Sequence, residues 1–195
     1  MRRRGKAAIG AAGLAIAVVL IGIPVLVTPA TDDAQTIDVD VAYVIGPPTE
    51  ARMDAAHELI ADGRAEALMV SLDPEEGDRW TEAAAACQNG GLRDGRLADD
   101  TALSDVEVLC HKPEPFTTRG EARWLEDEMA EHGWDSAAVI TLTPHISRAR
   151  MIMERCETGD IAMVDPGESL AAWYWAYMYA YQAAGFTKAA ILQGC

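Results

Sequence analysis

The sequence predicts an α/β fold: a Rossmann-like three-layer sandwich around a five-stranded, mainly parallel sheet, preceded by one N-terminal transmembrane helix. Three observations carry that expectation. Short apolar runs rich in β-branched residues recur along the chain, VDVAYVI from position 39 and AAVITL from 137 being two of them, as strands buried on both faces require. Segments with helical spacing separate them, several opened by Thr beside Pro or by a capping pattern. Alternation of this kind implies a parallel sheet with helices on both faces and right-handed crossovers. Near the start, an uncharged run at 7–27 matches the roughly 20 residues a helix needs to cross a hydrocarbon core.

That run follows a basic tail at 1–6 holding Arg2, Arg3, Arg4 and Lys6, which assigns the tail to the cytoplasm and the rest of the chain to the outside. An uncleaved signal-anchor is the preferred reading. The rival is a signal peptide cleaved near Thr28-Pro29-Ala30 and a secreted domain, but signal cores usually run only about 7–15 apolar residues. A polar tether at 28–37 leads into an exported domain at 38–195.

Within the domain, 39–45 is the first strand, ended by Gly46-Pro47-Pro48 because Pro cannot continue a central strand. Thr49 caps a helix over 50–62, with Met53, Ala56, His57 and Ile60 at helical spacing, and Gly63 stops it. EALMVS at 66–71 is the second strand, leaving through an acidic loop that carries Asp73, Glu75 and Glu76. A helix over about 78–87 and a Gly- and Asp-rich connector precede the third strand, VEVLC at 106–110. Pro113 and Pro115 hold the next loop extended, and Thr118-Arg119-Gly120-Glu121 reads as a capping box opening a helix to about His132. Strand four, 137–142, breaks at Thr143-Pro144, a helix start with His145 and Arg148 three apart on one face. DIAMV at 160–164 is the fifth strand, Asp165-Pro166-Gly167-Glu168 a further helix start, and the last helix runs to about Leu192.

Charge bounds the partners. All 31 acidic residues follow the apolar run, against 12 of the 16 Lys and Arg, which gives the exported part a formal charge of −19. Such a surface excludes nucleic acid and repels anionic headgroups, so any phosphate-binding role depends on a local basic pocket. Four cysteines, Cys87, Cys110, Cys156 and Cys195, fit no zinc pattern and include no CxxC. An even count in an exported domain favours two disulfides, with three possible connectivities. The placement of the cysteines at element ends favours Cys87–Cys110 and Cys156–Cys195.

In parallel sheets, ligands bind beyond the carboxyl ends of the strands. The loops leaving those ends carry Arg52, Ser71, Thr118, Glu121, Thr143, His145 and Arg148. His145 and Glu121 are the candidate acid–base pair, Arg52 and Arg148 the candidate anion clamps, and Ser71, Thr118 and Thr143 candidate ligand contacts. Each has a plainer explanation: a hydrogen-bonded helix-start histidine, a capping-box glutamate, arginines neutralising nearby carboxylates, capping threonines. The acidic loop suits a hard cation, but a solvated turn explains it better, and no metal ligands are assigned. His57, His111 and His132 lack metal-ligand spacing and read as surface or boundary residues. Along 173–181 Trp173, Tyr177, Ala180 and Ala184 share one helical stripe, best explained by core packing, with a membrane-interface role for surplus aromatics as the alternative.

The ordered pieces VAYVIGPPTEARMDAAHELIADGRAEALMVS, PFTTRGEARWL, VITLTPHISRAR and AYQAAGFTKAAIL together resemble the YdcF-like domain family, which includes the SanA and ElyC envelope proteins of bacteria. The resemblance covers nearly all of 38–195. It implies a Rossmann-like exported domain, often membrane-anchored, involved in cell-envelope and peptidoglycan-precursor processes, and it places the family's pocket on Arg52, Thr118, Glu121, His145 and Arg148. One cytoplasmic member binds S-adenosylmethionine. Where the family commonly has glycine-rich turns, this chain has Gly46-Pro47-Pro48 and Ser71-Leu72-Asp73, which argues against a nucleotide-like cofactor here and leaves the cofactor unknown. Three functions follow as expectations: an enzyme acting on a phosphorylated or lipid-linked envelope intermediate, a non-catalytic binding module using the same pocket, or a docking protein. Neither GxSxG nor a P-loop occurs.

Overall fold

The computed structural model describes residues 31, 36–72, 79–89, 106–156 and 159–195. The basic tail, the apolar run, most of the tether, the acidic loop after Leu72 and the connector before the third strand lie outside the described residues. Among those described, no helix is long and apolar enough to cross a membrane.

Five strands and five helices alternate among the described residues: β1 (Val41–Val44), α1 (Glu50–Ala61), β2 (Ala67–Ser71), α2 (Thr81–Asn89), β3 (Glu107–His111), α3 (Thr118–His132), β4 (Ser136–Ile140), α4 (Thr143–Cys156), β5 (Asp160–Val164) and α5 (Ala172–Ile191). The sheet order is β3-β2-β1-β4-β5, and all four pairings are parallel. Val44 pairs with both Val70 and Ile140, so β1, β2 and β4 end level at their carboxyl edge. The chain builds outward from β1 in one direction and resumes at β4 in the other, which makes the β1–β4 gap the switch point of the sheet.

Alternation along β1 divides the core in two. Val41, Tyr43 and Ile45 pack with Leu125 and Met129 of α3 and Ile146, Ala149 and Met153 of α4. Ala42 and Val44 face the other way, onto Met53, Ala56 and Ile60 of α1 and Ala83 and Ala86 of α2. Both faces of the sheet are therefore covered, the three-layer arrangement expected of strands with no polar face. Gly63 and Gly133, expected helix stops, both adopt positive φ, at 69° and 70°.

Both disulfides form as favoured, Cys87–Cys110 joining α2 to β3 and Cys156–Cys195 joining the end of α4 to the last residue. Four expectations need correction. The N-cap of α3 is Thr117, whose side chain accepts from Gly120 N at 3.3 Å; Thr118 is the first helical residue and Glu121 does not close a capping box. Asp165-Pro166-Gly167-Glu168 opens no helix, because Asp165 Oδ1 accepts Gly167 N–H at 2.9 Å and Gly167 takes φ of 70°, a turn incompatible with helix. The chain stays irregular until Ala172.

The third correction concerns the aromatic stripe. The buried residues of α5 are Met178, Gln182 and Ala189, which pack toward α4, whereas Trp173, Tyr177 and Tyr181 are 73%, 54% and 50% exposed. The stripe expected in the core faces outward. His57 departs the other way: it is buried, with Nδ1 3.7 Å from Glu82 of α2.

Candidate functional site

Eight polar or charged side chains are buried among the described residues, and all but His57 gather at the carboxyl edge of β1, β2 and β4. These are Arg52, Ser71, Thr118, Glu121, Thr141, His145 and Gln182. Buried polar groups are costly unless paired. Their concentration at the switch point is therefore the feature of the fold that packing alone does not explain.

Backbone geometry sets the positions. α4 begins directly after β4, and His145, with its N–H bonded to Leu142 O at 2.8 Å, is turned back over the strand end. The start of α3 is brought up against the same edge by the loop through Pro115. A Cβ on Gly120 would collide with the Pro115 carbonyl oxygen, so only glycine allows this approach. With Thr117 occupying the cap, Thr118 and Glu121 are released to face inward. Two helix starts, those of α3 and α4, thus meet at one mouth, where Thr118 and His145 touch.

His145 is held at both ring nitrogens, Nδ1 lying 3.0 Å from Thr141 Oγ1 and Nε2 lying 3.2 Å from Thr118 Oγ1. Burial, reinforced by the charges of Arg148 and Arg52, depresses its pKa well below the usual histidine value and keeps the ring neutral. The Glu121 carboxylate accepts Gly46 N–H at 2.8 Å. Burial pushes its pKa up, opposed by that hydrogen bond, by Ser71 and by the two arginines. Ser71 Oγ lies near enough to act on this carboxylate but makes no hydrogen bond of standard geometry, and it is one of two orphaned polar atoms here. The other is Gln182 Nε2.

The two arginines differ in kind. Arg52 Nε donates to Glu168 Oε1 at 2.6 Å, and its Nη1 reaches the carbonyls of Pro47 and Ile45 at 2.8 and 3.3 Å. Thr49, at the cap position of α1, also gives its hydroxyl to Glu168, at 3.1 Å. Arg52 is therefore neutralised by a partner that sequence reasoning did not find, and it ties the loop after β1 to the loop after β5. Arg148, half-buried, has no carboxylate at ion-pair distance among the described residues. Its Nε donates to Gln182 Oε1 at 2.7 Å, Nη1 makes a long contact of 3.5 Å with Thr118 Oγ1, and its guanidinium carbon lies 5.6 Å from the Tyr181 ring centroid. Desolvation lowers its pKa from the ordinary value, offset by Tyr181 and Glu121. Thr143 opens α4 half-buried, and no side-chain hydrogen bond joins it to the others.

The structure thus gathers six of the seven expected residues at one edge of the sheet and adds Thr141, Glu168, Gln182 and Tyr181. A hydroxyl in an apolar strand was the signal for Thr141. A lone amide in an alanine- and aromatic-rich helix was the signal for Gln182. Elsewhere, Asp54, His57 and Glu82 bring one ligand atom each within 4.8 Å, with His57 Nδ1 3.7 Å from Glu82. Proximity alone makes no cation site of this set, and the unpartnered His57 atom is Nε2, on the other side of the ring. A cavity of about 370 Å³ lies at β3, lined by Val108, His111 and Trp124 and by none of the buried polar residues of the mouth. No protein-family model, curated protein or solved structure matches the chain.

Proposed function

We propose that this chain is a membrane-anchored, extracytoplasmic domain of the YdcF-like kind whose β1–β4 mouth binds the phosphate group of a phosphorylated or lipid-linked cell-envelope intermediate. The observation that carries the reading is Arg148: a half-buried guanidinium with no carboxylate at ion-pair distance among the described residues, fixed by Gln182 and set beside two helix starts. A guanidinium held in place beside the positive ends of two helix dipoles favours a compact anion. Two disulfides support an oxidising compartment. The apolar run at 7–27 supports attachment to a membrane.

Within this reading His145 orients Thr118 and does not act as a free base, because both nitrogens face threonine hydroxyls and its charged form is disfavoured. Glu121 is the better proton carrier. Buried at the strand ends within the field of both arginines, with burial raising its pKa, it is the side chain placed to pass a proton to a leaving oxygen, and that placement favours the enzyme reading over a purely binding one. The test pairs binding of a polyprenyl phosphate in detergent micelles with complementation of an envelope defect by the full chain. An enzyme predicts that Glu121→Gln binds and fails to complement. A binding module predicts complementation that tracks affinity through all variants. Complementation unchanged by both Arg148→Ala and Glu121→Gln would remove the mouth from the function.

A further inference from the structure

Helix α5 carries an apolar face that nothing in the described chain covers. Trp173, Tyr177 and Tyr181 repeat every four residues along it, the last two stacked with centroids 5.8 Å apart and rings 18° from parallel. Ile191, 74% exposed, continues the face at the far end. Over its 20 residues the helix is about 30 Å long, so the face is larger than a scattered surface hydrophobe.

Charge and chain length say what covers it. From 169 to 195 the chain has no acidic residue, although the remainder of the exported part holds all 31. The one charged side chain of α5 is Lys188, on the exposed side. An acid-free face of Trp and Tyr with a lysine near one end suits the headgroup layer, where amphipathic rings and snorkelling lysines are favoured. A protein partner drawn to the acidic domain would meet its charge elsewhere. The ten residues at 28–37 extend to about 35 Å, on the order of the diameter of a domain this size, so the tether lets α5 lie flat on the bilayer that holds 7–27.

We infer that the outward face of α5 lies in the headgroup region of the membrane, with Trp173, Tyr177 and Tyr181 as its anchors. Tyr181 also packs over Arg148, so this orientation sets the mouth beside the lipid surface, where a lipid-linked phosphate presents its head. The inference rests on the anchored reading, and its experiment separates the two. The full chain is reconstituted into phosphatidylcholine vesicles whose acyl chains are brominated near the headgroup end, and tryptophan quenching is compared with Trp173→Phe. The expected result is quenching in the wild type that is lost in Trp173→Phe, the other tryptophans contributing little. Flotation with vesicles but equal quenching in both proteins overturns the docking and leaves the anchor standing. Failure to float overturns both. A dimer in detergent that Tyr177→Ser dissociates would identify the face as a contact between copies and overturn the membrane assignment.

Discussion

Arg148 and Gln182, 34 positions apart, meet through a 2.7 Å hydrogen bond from the guanidinium Nε to the amide oxygen. That bond fixes which way the amide points, since the reverse orientation would set donor against donor. It also explains why α5 is glycine one turn later. A Cβ on Gly185 would stand 2.8 Å from Arg148 Cδ and 3.0 Å from its Nε.

Gly185→Ala should therefore separate stability from binding. Alanine is favoured over glycine in a helix by up to about 1 kcal/mol, so urea unfolding should change little. Anion affinity should fall several-fold because the guanidinium is pushed off Gln182. Calorimetric titration with pyrophosphate reads the second effect, and unchanged affinity would show that Arg148 does not need its present position.

Arg52 should behave as a structural residue. Glu168→Gln leaves the guanidinium, 2% exposed, without its countercharge. The loss should be about 2–3 kcal/mol in denaturant unfolding, below the 3–5 typical of a fully enclosed pair, because Glu168 retains 17% of its side-chain surface in water. A stability change within about 0.5 kcal/mol would mean that the pair contributes nothing to holding the two loops.

The buried acid and base impose opposite pH dependences. His145 is depressed below 6.5 in the fold, so its contribution is whole above 6.5 and is lost as pH falls from 6.5 toward the folded value, with a slope of up to about 1.4 kcal/mol per pH unit. Glu121 is raised above 4.5, so its contribution is present below 4.5 and is lost as pH rises through the folded value. Relative to wild type, His145→Gln should gain stability as pH falls below 6.5. Glu121→Gln, which keeps an oxygen for Gly46 N–H, should gain as pH rises above 4.5. Unfolding free energies measured across pH 4–8 that run parallel in all three proteins would contradict both assignments.

Removing the Cys156–Cys195 bond, which spans a sequence separation of 39, should cost about 2–4 kcal/mol. The double variant Cys156→Ser, Cys195→Ser is the comparison, measured by urea unfolding under oxidising conditions. Because Arg155 and Arg119 still bind the carbonyls of Ala189 and Leu192, at 2.7 and 2.6 Å, α5 should stay in place and pyrophosphate affinity should be preserved. Loss of that affinity would make the disulfide part of the site's support.

The strand–helix order was legible because each strand is a short apolar run ended by Pro or a helix start, and period and punctuation agree. Boundaries slipped where two residues compete for one role. Thr117 and Thr118 are both of a cap-forming type, and the structure caps α3 with the first, where Gly120 passes close to Pro115. Arg52, Thr118, Glu121, His145 and Arg148 were legible as strand-end polar residues. Their division of labour was not, because Glu168 and Gln182 arrive from distant parts of the chain. The facing of α5 was misread for a related reason. A helix with apolar residues all round offers no periodic signal to say which stripe is buried.

The most direct test of the anion site is a pyrophosphate titration of the full chain against Arg148→Gln, with urea unfolding as the control for folding. Charge-assisted hydrogen bonds contribute about 1.5–3 kcal/mol each, so the variant should bind at least about tenfold more weakly while unfolding like the wild type. Equal affinity in the two proteins, or no binding by the wild type, would contradict the assignment of Arg148 as the anion-binding cation.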